Sequence, residues 1–152
     1  SGEFEGQKLK GFIDRLDSFH PGQVRVVDYK TGKVLDDDEK ITDDNAEAIA
    51  DKIFAEDIKE RPKIALQFFI YDLLVQDHPL AKGRQIYNCV YSTARLFKEP
   101  PLNVPRNEKF FEAVSRRLGD TLQEMYSLDV PFRRTKDEKV CEYCDFKMIC
   151  GR

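Results

Sequence analysis

Two carboxylates and an amine lie close together in this chain: Asp14 in Gly11-Phe12-Ile13-Asp14-Arg15-Leu16-Asp17, and Asp28 with Lys30 in Val26-Val27-Asp28-Tyr29-Lys30-Thr31-Gly32. Between them, Ser18-Phe19-His20-Pro21-Gly22 supplies Pro and Gly for a tight connection, so residues 3 to 18 and 23 to 30 read as a β-hairpin. A loop centred on Pro21 pairs residues whose numbers sum to 42, setting Asp14 opposite Asp28, Arg15 opposite Val27 and Asp17 opposite Arg25. Strand side chains alternate, so Asp14, Asp28 and Lys30 share a face with Phe12, Leu16, Val24 and Val26, while Asp17 lies on the other. A two-residue turn at Pro21-Gly22 would instead put Asp14 opposite Tyr29 and part the carboxylates.

Opposed carboxylates with Cβ atoms about 5 Å apart repel one another, and apolar neighbours make the charges costlier still. A divalent cation is the natural compensation. Mg²⁺ takes one or two protein carboxylates plus waters and phosphate oxygens, and a metal-held water beside Lys30 is the equipment of phosphodiester hydrolysis. The plain alternative is an exposed hairpin on which Lys30 merely neutralises the aspartates.

Other elements must position this group. A helix beginning near Pro62 in its first turn carries Ile64, Leu66, Phe69, Ile70, Leu73 and Leu74 around most of its circumference before His78-Pro79 stops it, which predicts burial. Gln67 and Tyr71, four apart, form one polar stripe on that cylinder and need polar partners, either local ones or a site beneath them. The charge run over residues 36 to 44 reads as a solvated loop, with Asp43 or Asp44 capping a helix over roughly 45 to 58. Residues 84 to 97 read as a strand pair or one long bent strand, and 107 to 127 as an amphipathic helix. The order β-β-α-α-β-α predicts a mixed α/β domain.

Length and composition bound the class. A chain of 152 residues that is 41% hydrophobic supports one core, and no apolar run approaches the roughly 18 residues of a membrane span, so a cytoplasmic protein is expected. A net charge of −3 argues against binding nucleic acid through a general positive field. Arg116-Arg117 and Arg133-Arg134-Thr135-Lys136 are local basic patches that either hold phosphates or offset nearby acids. His20 and His78 adjoin prolines in turns and read as surface residues.

Cys141-Glu142-Tyr143-Cys144 with Cys150 gives C-x2-C-x5-C, a ligand spacing expected of metal or cluster binding in a reducing compartment. Three thiolates leave a tetrahedral site one short. Cys89, in a strand-like apolar stretch, reads as a buried thiol. The chain starts without Met and enters β-like sequence almost at once, which predicts a piece of a longer protein.

Gly11-Phe12-Ile13-Asp14 followed by Asp28-Tyr29-Lys30-Thr31-Gly32 resembles the G-x-x-D and D-Y-K-(T/S)-G motifs of the RecB-like branch of the PD-(D/E)XK nucleases. Gln67-Phe68-Phe69-Ile70-Tyr71 matches the Q-x-x-x-Y motif of that family, and the cysteine tail resembles the iron-sulfur staple of AddB-type helicase-nucleases. The resemblance implies a restriction-endonuclease-like mixed sheet flanked by helices, with a nuclease core over 1–135 and a cysteine-bearing tail over 136–152. It also implies Mg²⁺ or Mn²⁺ on Asp14, Asp28 and the Tyr29 carbonyl, Lys30 as catalytic lysine, and Gln67 and Tyr71 bordering the site. Cys141, Cys144 and Cys150 would hold a [4Fe-4S] cluster with an upstream cysteine, zinc being the alternative. DNA is the implied substrate, in repair or recombination alongside a helicase region, and a catalytically silent DNA- or helicase-binding module is the competing role. A further upstream His or Glu would complete the metal site, with Glu3 and Glu5 only weak substitutes.

Overall fold

In the computed structural model, the hairpin belongs to a four-stranded sheet. The described residues are 2–18, 20–31, 40–55, 61–95, 98, 100–136 and 138–151. The elements run β1 (Gly2–Phe4), β2 (Gln7–Leu9), β3 (Arg15–Asp17), β4 (Gln23–Lys30), α1 (Ala46–Phe54), α2 (Lys63–Val75), β5 (Gln85–Ser92), β6 (Asn103–Pro105) and α3 (Glu108–Tyr126), and a 3₁₀ turn follows at Glu138–Cys141. Strands β3 and β4 are antiparallel, β4 and β5 parallel, β5 and β6 antiparallel. This is the mixed α/β sheet flanked by helices that the restriction-endonuclease-like expectation describes. Parallel pairing of β4 with β5 requires a crossover, and α1 and α2 lie in that connection.

The hairpin register matches the expected sum, with Arg15 opposite Val27, Leu16 opposite Val26 and Asp17 opposite Arg25. Residues 3 to 18 are nevertheless not one strand. Glu5 and Gly6 have φ of 47° and 76°, the signature of a two-residue turn between paired Phe4 and Gln7, so β1 and β2 close their own small hairpin. Chain from Gly11 to Asp14 is irregular, and Phe12 stands 96% exposed instead of joining the apolar face with Leu16.

Helix α2 lies between the sheet and the other two helices. One side packs on Val24, Val26 and Ile86 through Tyr71 and Val75, and another on Val90 and Val104 through Ile64 and Phe68. Its remaining surface meets Ala46, Ala50 and Ile53 of α1 and Phe110, Ala113 and Val114 of α3 through Ala65, Phe69 and Leu73. A helix apolar all round is one with protein on every side.

Several boundaries differ from the sequence reading. Pro62 stands at the N-cap of α2, one residue ahead of the first turn. Helix α1 starts after Asn45, whose side chain accepts from Thr42 N–H and donates to the Lys40 carbonyl, both at 2.8 Å, and caps no helix N–H; Asp43 accepts from Asn107 at 2.8 Å and pairs with Lys109 at 3.3 Å, so neither Asp43 nor Asp44 caps the helix. The end of the expected 45–58 helix and residues 36 to 39 of the charge run lie outside the described residues, as do Leu96 and Phe97. The described part of the 84–97 segment holds one strand, β5, and the short partner β6 was not anticipated because three residues give too few alternations to read.

Candidate active site

Asp28 sits near the C-terminal end of β4 on the face turned toward α2 and is 5% exposed. Its Oδ1 accepts from the Tyr71 hydroxyl at 2.7 Å and from Gln67 Nε2 at 2.9 Å. The polar stripe of α2 thus converges on one carboxylate oxygen, with the Gln67 amide also against the Tyr71 hydroxyl. Lys30 Nζ lies 2.9 Å from the buried Oδ2, an ion pair in which the rotatable ammonium is the donor on that oxygen. Lys30 itself is about one-third exposed, so its ammonium can swing outward while Asp28 cannot.

Asp14, exposed just before β3, would continue the register onto Asp28, but its Oδ2 accepts the Tyr29 backbone N–H at 2.9 Å. The carboxylate takes the place of the ladder carbonyl that β3, ending at Arg15, no longer supplies. Gly11 brings this segment against α2, since a Cβ there would come within 2.6 Å of Leu74 Cδ1. Burial and the Asp28 carboxylate push the Tyr71 phenol well above its ordinary value, with Asp14 adding to the effect, so Tyr71 remains a neutral donor. The Tyr29 side chain points to the opposite face, where its ring meets Tyr91 at 5.7 Å and its hydroxyl accepts from Arg15. Beyond the strands, Thr93 N–H donates to the Lys30 carbonyl at 2.9 Å and Thr93 Oγ1 to that of Thr31 at 3.2 Å, tying down the chain after Lys30. Gly32, the last motif position, lies outside the described residues.

A buried carboxylate whose Oδ2 is neutralised by a partly exposed, movable lysine has the donor chemistry of an oxygen-ligated divalent cation site. Asp28 and Asp14 are the carboxylates that would hold such a cation, and the hydrogen bonds they accept from Tyr71, Gln67 and Tyr29 would orient them for it.

The pattern of the PD-(D/E)XK nuclease superfamily matches residues 2–151. The chain belongs to that superfamily. No curated protein and no solved structure gives a significant match.

Other candidate residues of this nuclease domain fall away from Asp28. Glu3 is paired with Lys8 in the small hairpin, and Glu5 rests on Gly119 of α3. Arg116 and Arg117 bind Glu47 and Asp51 across the α1–α3 seam, which makes them the offset charges and not a free phosphate site. Arg134 donates to the Cys150 carbonyl at 2.8 Å, and His20 and His78 are exposed. Cys89 is fully buried as a strand thiol.

Cys141, Cys144 and Cys150 are free and half-buried, and among the described residues no three His, Cys, Asp or Glu side chains are placed to hold a metal ion. Among the described residues their placement does not make a closed cluster. No helix of the described residues is long and apolar enough to cross a membrane.

The sequence reading passed over Asp72 and Asn88, both buried behind the site and joined by a 2.7 Å hydrogen bond. Asp72 directly follows Tyr71 on a helix apolar all round, and a charged residue type there was the available signal.

Proposed function

We propose that this domain hydrolyses phosphodiester bonds in DNA with Mg²⁺ or Mn²⁺ held by Asp28 and Asp14, and with the Tyr29 carbonyl as a further ligand. The observation that carries this reading is Asp28: a buried carboxylate with Oδ1 pinned by Tyr71 and Gln67 and Oδ2 met by Lys30 Nζ at 2.9 Å. When bound, the cation lowers the pKa of water and screens the phosphate. Lys30, released from Oδ2, orients the attacking water or donates to the phosphoryl oxygen where negative charge develops. Gln67 and Tyr71 keep the Asp28 carboxylate in one orientation, and the Asp14 carboxylate keeps the end of β4 in place through Tyr29 N–H.

The match of Gly11–Asp14, Asp28–Gly32 and Gln67–Tyr71 to the three RecB-like motifs supports a RecB-like, AddB-type domain of a cytoplasmic DNA repair or recombination enzyme. On that reading residues 1–135 are the catalytic core, residues 136–152 are the cysteine tail, and a helicase region is the partner. Cys141, Cys144 and Cys150 then belong to a [4Fe-4S] or zinc site closed by a ligand elsewhere in the longer protein, which iron, sulfide and zinc analysis of that protein tests.

Linear DNA incubated with Mn²⁺ and the full chain, or a version extended upstream, tests the nuclease reading. Hydrolysis should appear with wild type and vanish in Asp28→Ala and Lys30→Ala, while calorimetry shows Mn²⁺ affinity lost in Asp28→Ala alone. Mn²⁺ binding unaffected by Asp28→Ala, or cleavage unchanged by it, overturns the reading. DNA binding without cleavage in every form would make the domain a silent module.

A further inference from the structure

We propose that Asp72 keeps its proton in the folded protein and donates it to Oδ1 of Asn88, an acid–amide pair that clamps α2 to β5 and positions Tyr71 and Gln67 on Asp28. The positioning half rests on the reading of Asp28 as the cation-holding carboxylate; the protonation half stands apart from it.

Asp72 is 3% exposed and Asn88 2%. Asn88 lies in the middle of the sheet, opposite Val26 of β4 and Val104 of β6. Its Nδ2 donates to Asp72 Oδ1 at 2.7 Å, yet its Oδ1 is buried with no donor. An amide with one end bound and the other orphaned is an expensive arrangement. A carboxylic acid supplies the missing partner: one oxygen accepts from the amide nitrogen and the other, bearing the proton, donates to the amide oxygen.

The surroundings favour the neutral acid. The sheet residues facing α2 are Val24, Val26, Ile86, Val90 and Val104, with Asn88 as the polar partner and the Asp28 carboxylate taken up by Tyr71 and Gln67. The charged groups in reach are Arg106, whose field favours the carboxylate, and Glu108, whose field opposes it. Arg106 is already committed, with Nε 3.0 Å from Glu108 Oε1, Nη2 3.1 Å from Glu108 Oε2, Nη1 3.4 Å from Gln76 Oε1, and its guanidinium carbon 3.9 Å from the Phe111 ring centroid. Among the described residues no ion pair reaches Asp72. Burial therefore dominates and pushes the Asp72 carboxyl up to about 7, against the opposing pull of Asn88 and Arg106.

Asp72 is adjacent to Tyr71 on the same helix, so whatever seats α2 on β5 also sets how Tyr71 and Gln67 reach Asp28. When the proton leaves, a buried carboxylate faces the lone pairs of Asn88 Oδ1 and the seam loosens. The unfolded carboxyl titrates near its ordinary value of about 3.9, so between there and about 7 only the folded state holds the proton, and stability falls as pH rises through that window.

Carbon-13 NMR of the carboxyl carbons in the full chain reads the proton directly, with the Asp72 resonance assigned by its loss in Asp72→Asn. A protonated shift at pH 5, with an inflection within about one pH unit of neutrality, is expected; an ionised Asp72 at pH 5 overturns the proposal. Asp72→Asn offers Asn88 the same donor and acceptor without titrating. Urea unfolding from pH 4 to 9 should show wild type losing stability where Asp72→Asn stays flat, and equal losses would refute the shared proton. Should Asp72→Asn fail to fold, the wild-type inflection still decides. For positioning, the Tyr71 Cζ resonance should inflect at the Asp72 midpoint in wild type and not in Asp72→Asn, and the variant should retain kcat at alkaline pH where wild type declines at unchanged KM. A Tyr71 resonance indifferent to Asp72 refutes the positioning half. Absence of hydrolysis with the NMR inflections intact would count against the nuclease reading alone.

Discussion

The Tyr71 hydroxyl donates to Oδ1 of Asp28 at 2.7 Å, so a residue of α2 fixes the orientation of a carboxylate on β4. Tyr71→Phe deletes this donor and leaves Gln67 as the remaining one. A hydrogen bond to a charged group contributes about 1.5–3 kcal/mol, which predicts a fall in DNA hydrolysis on the order of tenfold to a hundredfold. Steady-state kinetics with a Mn²⁺ titration measures it. Because the phenol is held neutral by burial and by Asp28, the wild-type bond should persist through mildly alkaline pH.

Asp17 lies between two guanidinium groups, accepting from Arg25 at 3.0 and 3.1 Å and also from Arg15. The Arg25 hydrogen bonds are the largest influence and outweigh the desolvation cost that ranks next; with those of Arg15 added, they hold its carboxyl below the ordinary range. A depressed folded value contributes stability that is present above the unfolded value of about 3.9 and lost as pH falls below it. Asp17→Asn should therefore cost about 1 kcal/mol at neutral pH, since the pair is partly exposed, and flatten the acid limb below about pH 4. Denaturant melts at pH 3 and pH 7 check both arms.

Gly119 is a buried position in α3 where an added Cβ would meet Glu5 Oε1 at 2.7 Å. The obstacle is the tip of an exposed side chain on a turn, free to swing away. Alanine gains roughly 0.5–1 kcal/mol over glycine inside a helix, so that term wins and Gly119→Ala should raise stability by a few tenths to about 1 kcal/mol. Thermal unfolding decides the sign.

Arg116 reaches both carboxylate oxygens of Glu47 at 2.9 Å, and Arg117 lies 2.8 Å from Asp51 Oδ1. With these charges matched, the double change Arg116→Ala and Arg117→Ala should alter DNA affinity by less than about twofold and leave its salt dependence unchanged. Stability should fall only modestly, as three surface ion pairs, Arg116–Glu47, Arg117–Glu47 and Arg117–Asp51, are lost. Fluorescence titrations at several salt concentrations give the readout.

Much of the hairpin was legible in the chain because its information is local. Alternation of apolar residues in Val24-Arg25-Val26 and the Pro21-Gly22 connection narrowed the register to two choices, and the structure takes the one that pairs Asp17 with Arg25. The same locality made α2 and α3 readable within a residue or two, since their apolar spacing spans several turns. The break at Glu5-Gly6 was missed because it needs a non-glycine residue at positive φ, which composition rarely signals. Phe12 was misplaced for a related reason: extrapolating alternation past the end of β3 assumes a ladder that stops at Arg15.

By itself, the sequence determined which residue types stand within one hairpin, that Gln67 and Tyr71 share one stripe of a buried helix, and that three thiols crowd the tail. Only the tertiary structure decided that this stripe ends on Oδ1 of Asp28, that Asp14 binds the Tyr29 N–H, and that Asp72 faces Asn88. Those contacts join segments 15 to 43 positions apart. Periodicity reports only which face a residue occupies; what meets that face depends on how α2 packs across the parallel β4–β5 pair.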